Sequence, residues 1–279
     1  CPSRRSIVRR VVNGWVDIHC HVLPGVDDSA VDMETSLDML RSAVDEGLEQ
    51  LVVTPTIRPM TVLRSCACMN APSLVSAVAA AGLPIDLRLG VELGFRFGLD
   101  YVAADPAARL TGGAYVLVDL PPGPVSPGLE QAFFALRTAG WRPILAHPER
   151  HRELARRPER IERLREQDLM LQVNAGSLVG QFGRRAMDTS TRLIERGWAD
   201  FVASDGHDVR KRRLSIRAAA EQLNELVGTQ RTYQLLVENP ACVMTGELVE
   251  PYRPQPVRRK GGIGQWIQRR FSSSAATRG

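Results

Sequence analysis

Short apolar runs alternate with stretches of helical spacing along most of the chain. The runs are WVDI near 15, LVVT near 51, IDLRLGV near 85, YVLVDL near 115, PILA near 143, LMLQV near 169 and FVAS near 201. Their length and flanking polar residues predict buried strands. Between them, apolar residues recur at helical intervals over Val31–Gly47, Gly128–Gly140, Pro158–Gln167 and Phe182–Gly197, three of which end at a glycine in the usual C-terminal place. Strand alternating with helix implies parallel strands, either in an open doubly wound sheet or in a barrel. After Asp205, two further helical stretches, Lys211–Val227 and Gln230–Val237, precede ENPACVMTGE and close the domain. From Arg253 onward Pro, Gly, Ser and Arg surround one small apolar cluster of Ile263, Trp266, Ile267 and Phe271, the pattern of a flexible tail. The organisation expected is a basic extension over 1–14, one domain over 15–252 and a basic tail over 253–279.

Composition narrows this picture. The chain has 279 residues, 44% hydrophobic and 24% charged. That is room for a single α/β barrel domain of roughly 250 residues. No apolar run approaches the ~18 residues needed to span a bilayer. The net charge of +5 is set by the tail, where seven Arg or Lys stand without an acid; residues 1–252 carry 29 basic and 31 acidic groups. No nucleic-acid groove is therefore expected on the domain. Five cysteines, an odd number without C-x-x-C spacing, suggest reduced thiols and a cytoplasmic address. The tail's arginines beside Trp266 and Phe271 would suit weak contact with an anionic membrane surface. The plainer reading of them is a solvated, disordered end.

Four of the five histidines fall at or just after the end of an expected strand: His19, His21, His147 and His207. Glu92, Asp119 and Asp205 do the same. Residues i and i+2 of a strand share one side, so His19 with His21, and Asp205 with His207, can each offer two groups to one centre. Barrel active sites gather at the C-terminal strand ends, where groups scattered in sequence meet. Imidazole mixed with carboxylate suits Mn²⁺, Fe²⁺ or Zn²⁺ better than Mg²⁺ or Ca²⁺. Seven donors are too many for one ion and suit two or three, an arrangement used in phosphoester hydrolysis. His151 reads as a surface helix residue.

The texts DIHCHVLPGVDDSA, GVELGF, YVLVDLP, ILAHPERHREL, LMLQVNAGSLVGQFGRRA and FVASDGHDVRKR, in this order from Val16 to about Glu247, resemble the PHP (polymerase and histidinol phosphatase) superfamily. More narrowly, they resemble its bacterial protein-tyrosine phosphatases of capsular and exopolysaccharide synthesis. The resemblance implies an α/β fold, a distorted (β/α)7 barrel of the PHP type, with a manganese-preferring cluster of up to three ions. It implies His19, His21, Glu92, Asp119, His147, Asp205 and His207 as metal ligands. Asp28 matches an aspartate that is a ligand or an acid for the leaving group, and Arg150 an arginine facing the substrate phosphate. The implied partner is the phosphorylated tail of a tyrosine kinase that controls polysaccharide synthesis.

Two positions depart from that pattern. Where the family reads T-P-H-H, this chain reads TPTI, so Thr56 stands in place of a ligand histidine. A neutral hydroxyl is a poor substitute for imidazole, and one ion should bind weakly or be lost. Asp119 replaces a glutamate and is one C–C bond, roughly 1.5 Å, shorter. The run from Thr56 to about Leu83 is poor in charge and holds two of the cysteines. Ordinary divergence and a reading frame displaced by one base both account for it. Two other functions stay open: a small-molecule phosphoesterase of the histidinol-phosphatase kind, and a non-catalytic phosphotyrosine-binding protein, which Thr56 favours.

Overall fold

Every strand pairing among the described residues is parallel, as alternation of strand with helix requires. The computed structural model describes residues 14–28, 30–57, 67–95, 98–250 and 252. The basic extension, apart from Gly14, and the tail over 253–279 lie outside them. In chain order the elements are β1 (Trp15–Cys20), α1 (Met33–Glu46), β2 (Leu48–Val53), β3 (Thr56–Ile57), α2 (Ala67–Ala80), β4 (Asp86–Leu89), β5 (Glu92–Gly94) and α3 (Leu99–Ala103). They continue with β6 (Tyr115–Asp119), α4 (Leu129–Thr138), β7 (Arg142–Ala146), α5 (Arg152–Arg156), α6 (Pro158–Glu166), β8 (Met170–Asn174) and α7 (Ala175–Leu178). The last are α8 (Arg184–Glu195), β9 (Phe201–Ala203), α9 (Arg217–Tyr233) and α10 (Asn239–Thr245). Among the described residues no helix is long and apolar enough to cross a membrane.

The strands form two sheets, of order β1-β2-β4 and β3-β5-β6-β7-β8-β9. Two of the seven apolar runs are thus followed at once by a second short strand in the other sheet. Thr54–Pro55 separates β2 from β3, because proline brings no amide to the ladder, and Gly90–Val91 separates β4 from β5. Hydrogen bonds bridge the break: the Gly90 amide donates to Val53 O at 2.9 Å and the Glu92 amide to Pro55 O at 3.1 Å. At the other edge, β1 meets the segment after β9. There Cys20 and Gly206 form an isolated parallel bridge, His21 N donates to Gly206 O at 2.8 Å, and Asp205 N donates to His19 O at 2.9 Å.

Alternation along the strands divides the apolar residues into two cores. Tyr115 and Leu117 of β6, Ile144 and Ala146 of β7, Met170 of β8, and Phe201 and Ala203 of β9 pack together with Ile18 and Val52. Their neighbours Val116, Val118, Leu145, Leu171 and Val202 face the other way, into a larger core shared with the helices. This is the period-2 consequence of strands buried on both faces. Tyr115 sits fully buried because its hydroxyl donates to Glu247 O (2.7 Å) and accepts from Val249 N (2.9 Å).

The helices follow the sequence closely where caps are present. Asp32 caps α1 by accepting from Thr35 N, and Gly47 ends it at φ 93°. The helix expected from Lys211 instead begins at Arg217. Asp208 takes up the amides of Arg210, Lys211 and Arg212 and holds that segment in a turn. α9 bends at Gly228 (φ 79°) and runs into a π-helical turn, Gln234–Glu238. α2 was not anticipated, although Ala71, Leu74 and Val78 bury one face at helical spacing.

Candidate metal centre

The inner faces of β6, β8 and β9 change from apolar to polar towards the C-terminal end, and the polar ends converge. Leu117 gives way to Asp119 on β6, Met170 to Gln172 and Asn174 on β8, and Ala203 to Asp205 after β9. Glu92 opens β5, and His19 lies on β1 with His21 just beyond it. His147 follows β7. His147 and Asp205 have φ of 32° and 51°, left-handed values that cost a side chain of this kind roughly 1 kcal/mol or more. Both turn a donor back across the strand ends.

All seven expected ligands meet here. His19 Nε2 lies 3.1 Å from His21 Nε2, 3.1 Å from Glu92 Oε1 and 3.5 Å from Asp205 Oδ1. His21 Nε2 lies 3.3 Å from Asp205 Oδ1, and His147 Nε2 3.3 Å from Glu92 Oε1. The His207 ring sits 3.9 Å from that of His21. Within each of four groups the ligand atoms lie within 4.8 Å of one another: His19, His21, Glu92; His21, Asp205, His207; His19, His147, Asp205; and Glu92, Asp119, His147. Asp119 reaches least far, 3.8 Å from His147 Nδ1, as its shorter side chain predicts.

The orientation of the imidazoles tests whether these residues fit a metal. His19 Nδ1 faces Gln172 Oε1 at 3.0 Å and His21 Nδ1 faces Asp27 Oδ2 at 2.8 Å. An N–H at each Nδ1 satisfies those oxygens and leaves the two Nε2 lone pairs pointing at each other, which needs a cation between them. The donor set therefore fits divalent ions. The same side chains shift one another's protonation. Burial pushes His21 down, but Asp205 and Asp27 outweigh it and hold it at about 10. Burial likewise opposes, and Glu92 and Asp205 override, in raising His147 to about 9. Burial and the charge on His21 push His207 to about 4. Against their own burial, Glu92 and Asp205 are held well below the carboxylate range by the surrounding histidines. Burial and the nearby Glu92 raise Asp119.

A cleft of about 910 Å³ opens above the donors. Arg150 lines it, with Nη1 2.5 Å from Asp205 Oδ2 and its guanidinium 4.3 Å from the centre of the Phe182 ring. Asp28 stands apart from the donor groups: its side chain is 85% exposed on the cleft rim, 3.9 Å from His207 Nε2. Its neighbour Asp27 is the one that turns inward. Thr56 donates through Oγ1 to Glu92 Oε2 at 2.8 Å, and its amide donates to Asp27 Oδ2 at 3.0 Å. His151 caps α5 and lines the cleft instead of lying along a helix surface.

Several residues of the site escaped the sequence reading. Gln172 and Asn174 carried a signal, two amides at alternate positions of an apolar strand. Gln172 Nε2 donates to Asn174 Oδ1, and Asn174 Nδ2 to Asp205 Oδ2, both at 2.8 Å. Arg212, which donates to Asp205 Oδ2 at 2.8 Å, comes from an irregular basic loop and carried none. Buried Glu149 was legible only as part of HPER; it accepts from Asn174 N and Ser177 Oγ.

The comparisons agree with this geometry. The model of the family described as capsular polysaccharide synthesis, CpsB/CapC, matches residues 15–245. The tyrosine-protein phosphatase YwqE of Bacillus subtilis is 32% identical over 89% of this chain and 99% of its own length. The tyrosine-protein phosphatase CpsB of Streptococcus pneumoniae is 21% identical over 84% and 100%. A crystal structure from work on YwqE and CpsB, described there as unique metal-dependent tyrosine phosphatases, superposes with a TM-score of 0.79 at 31% identity, covering 88% of this chain and 100% of that one. A structure from Pseudomonas putida, 16% identical with a TM-score of 0.50, shares the fold alone.

Proposed function

This chain belongs to the CpsB/CapC family of capsular polysaccharide synthesis, and from that premise we propose that it is a metal-dependent protein-tyrosine phosphatase. The observation that carries the reading is the meeting of four imidazoles and three carboxylates at the strand ends, beneath a cleft lined by arginines. The ligands are His19, His21, Glu92, Asp119, His147, Asp205 and His207, with two or three Mn²⁺ ions, Fe²⁺ or Zn²⁺ being the other candidates. Residues 15–252 act as one domain, a distorted (β/α)7 barrel of the PHP type. Ladder hydrogen bonds at both junctions between the sheets, and the inner and outer cores, support that reading.

Bound there, divalent ions supply Lewis acidity at the phosphoryl group. The chain's own residues do the rest. Arg150, steadied by Asp205 and Phe182, faces charge that grows on the phosphoryl oxygens. Gln172 and Asp27 orient His19 and His21. Asp28, exposed at the rim, is placed to give a proton to the departing phenolate, whose pKa near 10 makes that help modest. The natural substrate is a phosphorylated tyrosine kinase tail, and the odd cysteine count favours a cytoplasmic setting.

A second reading, binding without turnover, rests on Thr56, whose hydroxyl spends one Glu92 oxygen on a hydrogen bond. Mn²⁺-dependent hydrolysis of a phosphotyrosine peptide by the parent, beside Thr56→His, separates the two. Comparable rates are the expected result. Rescue only in the variant would leave binding as the function, and faster turnover of histidinol phosphate would redirect the substrate class.

A further inference from the structure

The cleft is longer than a phosphate needs. Besides the donors it is lined by Arg152, Arg156 and Arg157, which span the length of α5 and its C-terminal end, and by Leu120, Pro122, Gly123 and Pro124. The phosphoryl group is provided for at the deep end by the donors and Arg150. The outer arginines are surplus to that task.

They are also surplus to the fold. Arg152 and Arg156 are exposed and have no acid partner among the described residues. Arg157 reaches Glu153 only at 3.5 Å. Glu153 is already occupied, since it accepts from Arg160 Nη1 at 2.9 Å and from Val125 N at 2.8 Å. Leu120, Pro122, Gly123 and Pro124 carry no charge at all. Three cations with one weak acid contact between them, on a domain (residues 15–252) that carries 25 basic and 31 acidic groups, stand out as a local cluster of positive charge at the mouth. Guanidinium groups match planar carboxylates and phosphates, so an acidic side chain would find a ready partner there.

We propose that Arg152, Arg156 and Arg157 form a subsite for an acidic or phosphorylated residue beside the phosphotyrosine, so that the preferred substrate is an acidic peptide segment. This rests on the phosphatase reading of the same cleft and adds what lies next to the reacting group. A small ester fills the deep end and leaves the arginines unused; an acidic peptide spans both.

The test is equilibrium binding to the Mn²⁺-loaded full chain, followed by fluorescence anisotropy. The probes are two labelled peptides that carry a non-hydrolysable phosphonomethyl-phenylalanine, one flanked by glutamates and one by glutamines. The glutamate peptide should bind about tenfold more tightly, from three partly exposed pairs. The advantage should shrink as salt rises. In the triple variant Arg152→Ala, Arg156→Ala, Arg157→Ala the two peptides should bind alike. Equal affinities in the parent, or an advantage that survives the triple variant, would overturn the subsite. Should that variant fail to fold, Arg156→Gln and the salt dependence of the parent decide the matter. Hydrolysis of p-nitrophenyl phosphate by the parent is followed separately: its absence counts against the phosphatase reading, whereas equal peptide affinities count only against the subsite.

Discussion

Two residues that coordinate nothing have strong expected effects on the centre. Gly206 lies between Asp205 and His207, and a Cβ there would come within 2.7 Å of Leu214 side-chain carbons and 3.0 Å of its backbone nitrogen. Backbone cannot retreat as a flexible side chain can, so Gly206→Ala must displace both donors. We expect it to lower the metal content measured by plasma mass spectrometry. Unchanged content would show that the turn absorbs the methyl group. Phe182 acts through Arg150, over whose guanidinium it stacks. A contact of this kind contributes ~0.5–2 kcal/mol. Phe182→Ala should therefore cut kcat/KM several-fold, Phe182→Tyr should restore it, and neither should matter once Arg150 is Ala. A full effect of Phe182→Ala in the Arg150→Ala background would make Phe182 a structural residue only.

At the level of elements, the seam between β1 and β9 is held by a buried carboxylate. Asp17 Oδ1 accepts from His19 N at 3.0 Å and from Ser204 N at 3.2 Å, and burial raises its pKa in spite of those bonds. Removing an acceptor from two buried amides costs ~1–3 kcal/mol for each. Asp17→Ala should lower the melting temperature markedly and Asp17→Asn far less, because an amide oxygen still accepts. Equal losses in the two variants would place the energy in charge instead. The strands themselves and the donors at their ends were legible because short apolar runs and i, i+2 spacing are local facts. The breaks at Pro55 and Gly90, and the choice of Asp27 over Asp28 as the inward carboxylate, were not. Pro55 by itself only removes an amide; that the chain continues in the other sheet depends on how β2 and β4 run past their neighbours, which no window of sequence contains. α2 was obscured for another reason: it has no charged residue and holds Pro72, so no polar face sets off the helical spacing of Ala71, Leu74 and Val78.

For the molecule as a whole, the clustered donors lie where the two sheets meet. β1 carries His19 with His21 just beyond its end, Asp205 follows β9, and Glu92 begins β5 at the opposite junction. Ions held among these residues would tie both seams at once, so loading should stabilise the entire domain beyond the site itself. A ligand at a hundred times its Kd contributes ~2.7 kcal/mol, or a shift of roughly 5–10 °C for a domain of this size. We therefore expect Mn²⁺ to raise the melting temperature of the chelator-treated protein by about that much, and acid to weaken the effect because imidazole ligands must be deprotonated. Thr56→His should enlarge the shift, since a nitrogen donor would replace a hydroxyl that now hydrogen-bonds Glu92. Differential scanning calorimetry with and without Mn²⁺ makes the comparison. A parent that binds Mn²⁺ at an unchanged melting temperature would mean that the ions bind the unfolded chain as tightly as the folded one, and that the clustered donors are no preformed site.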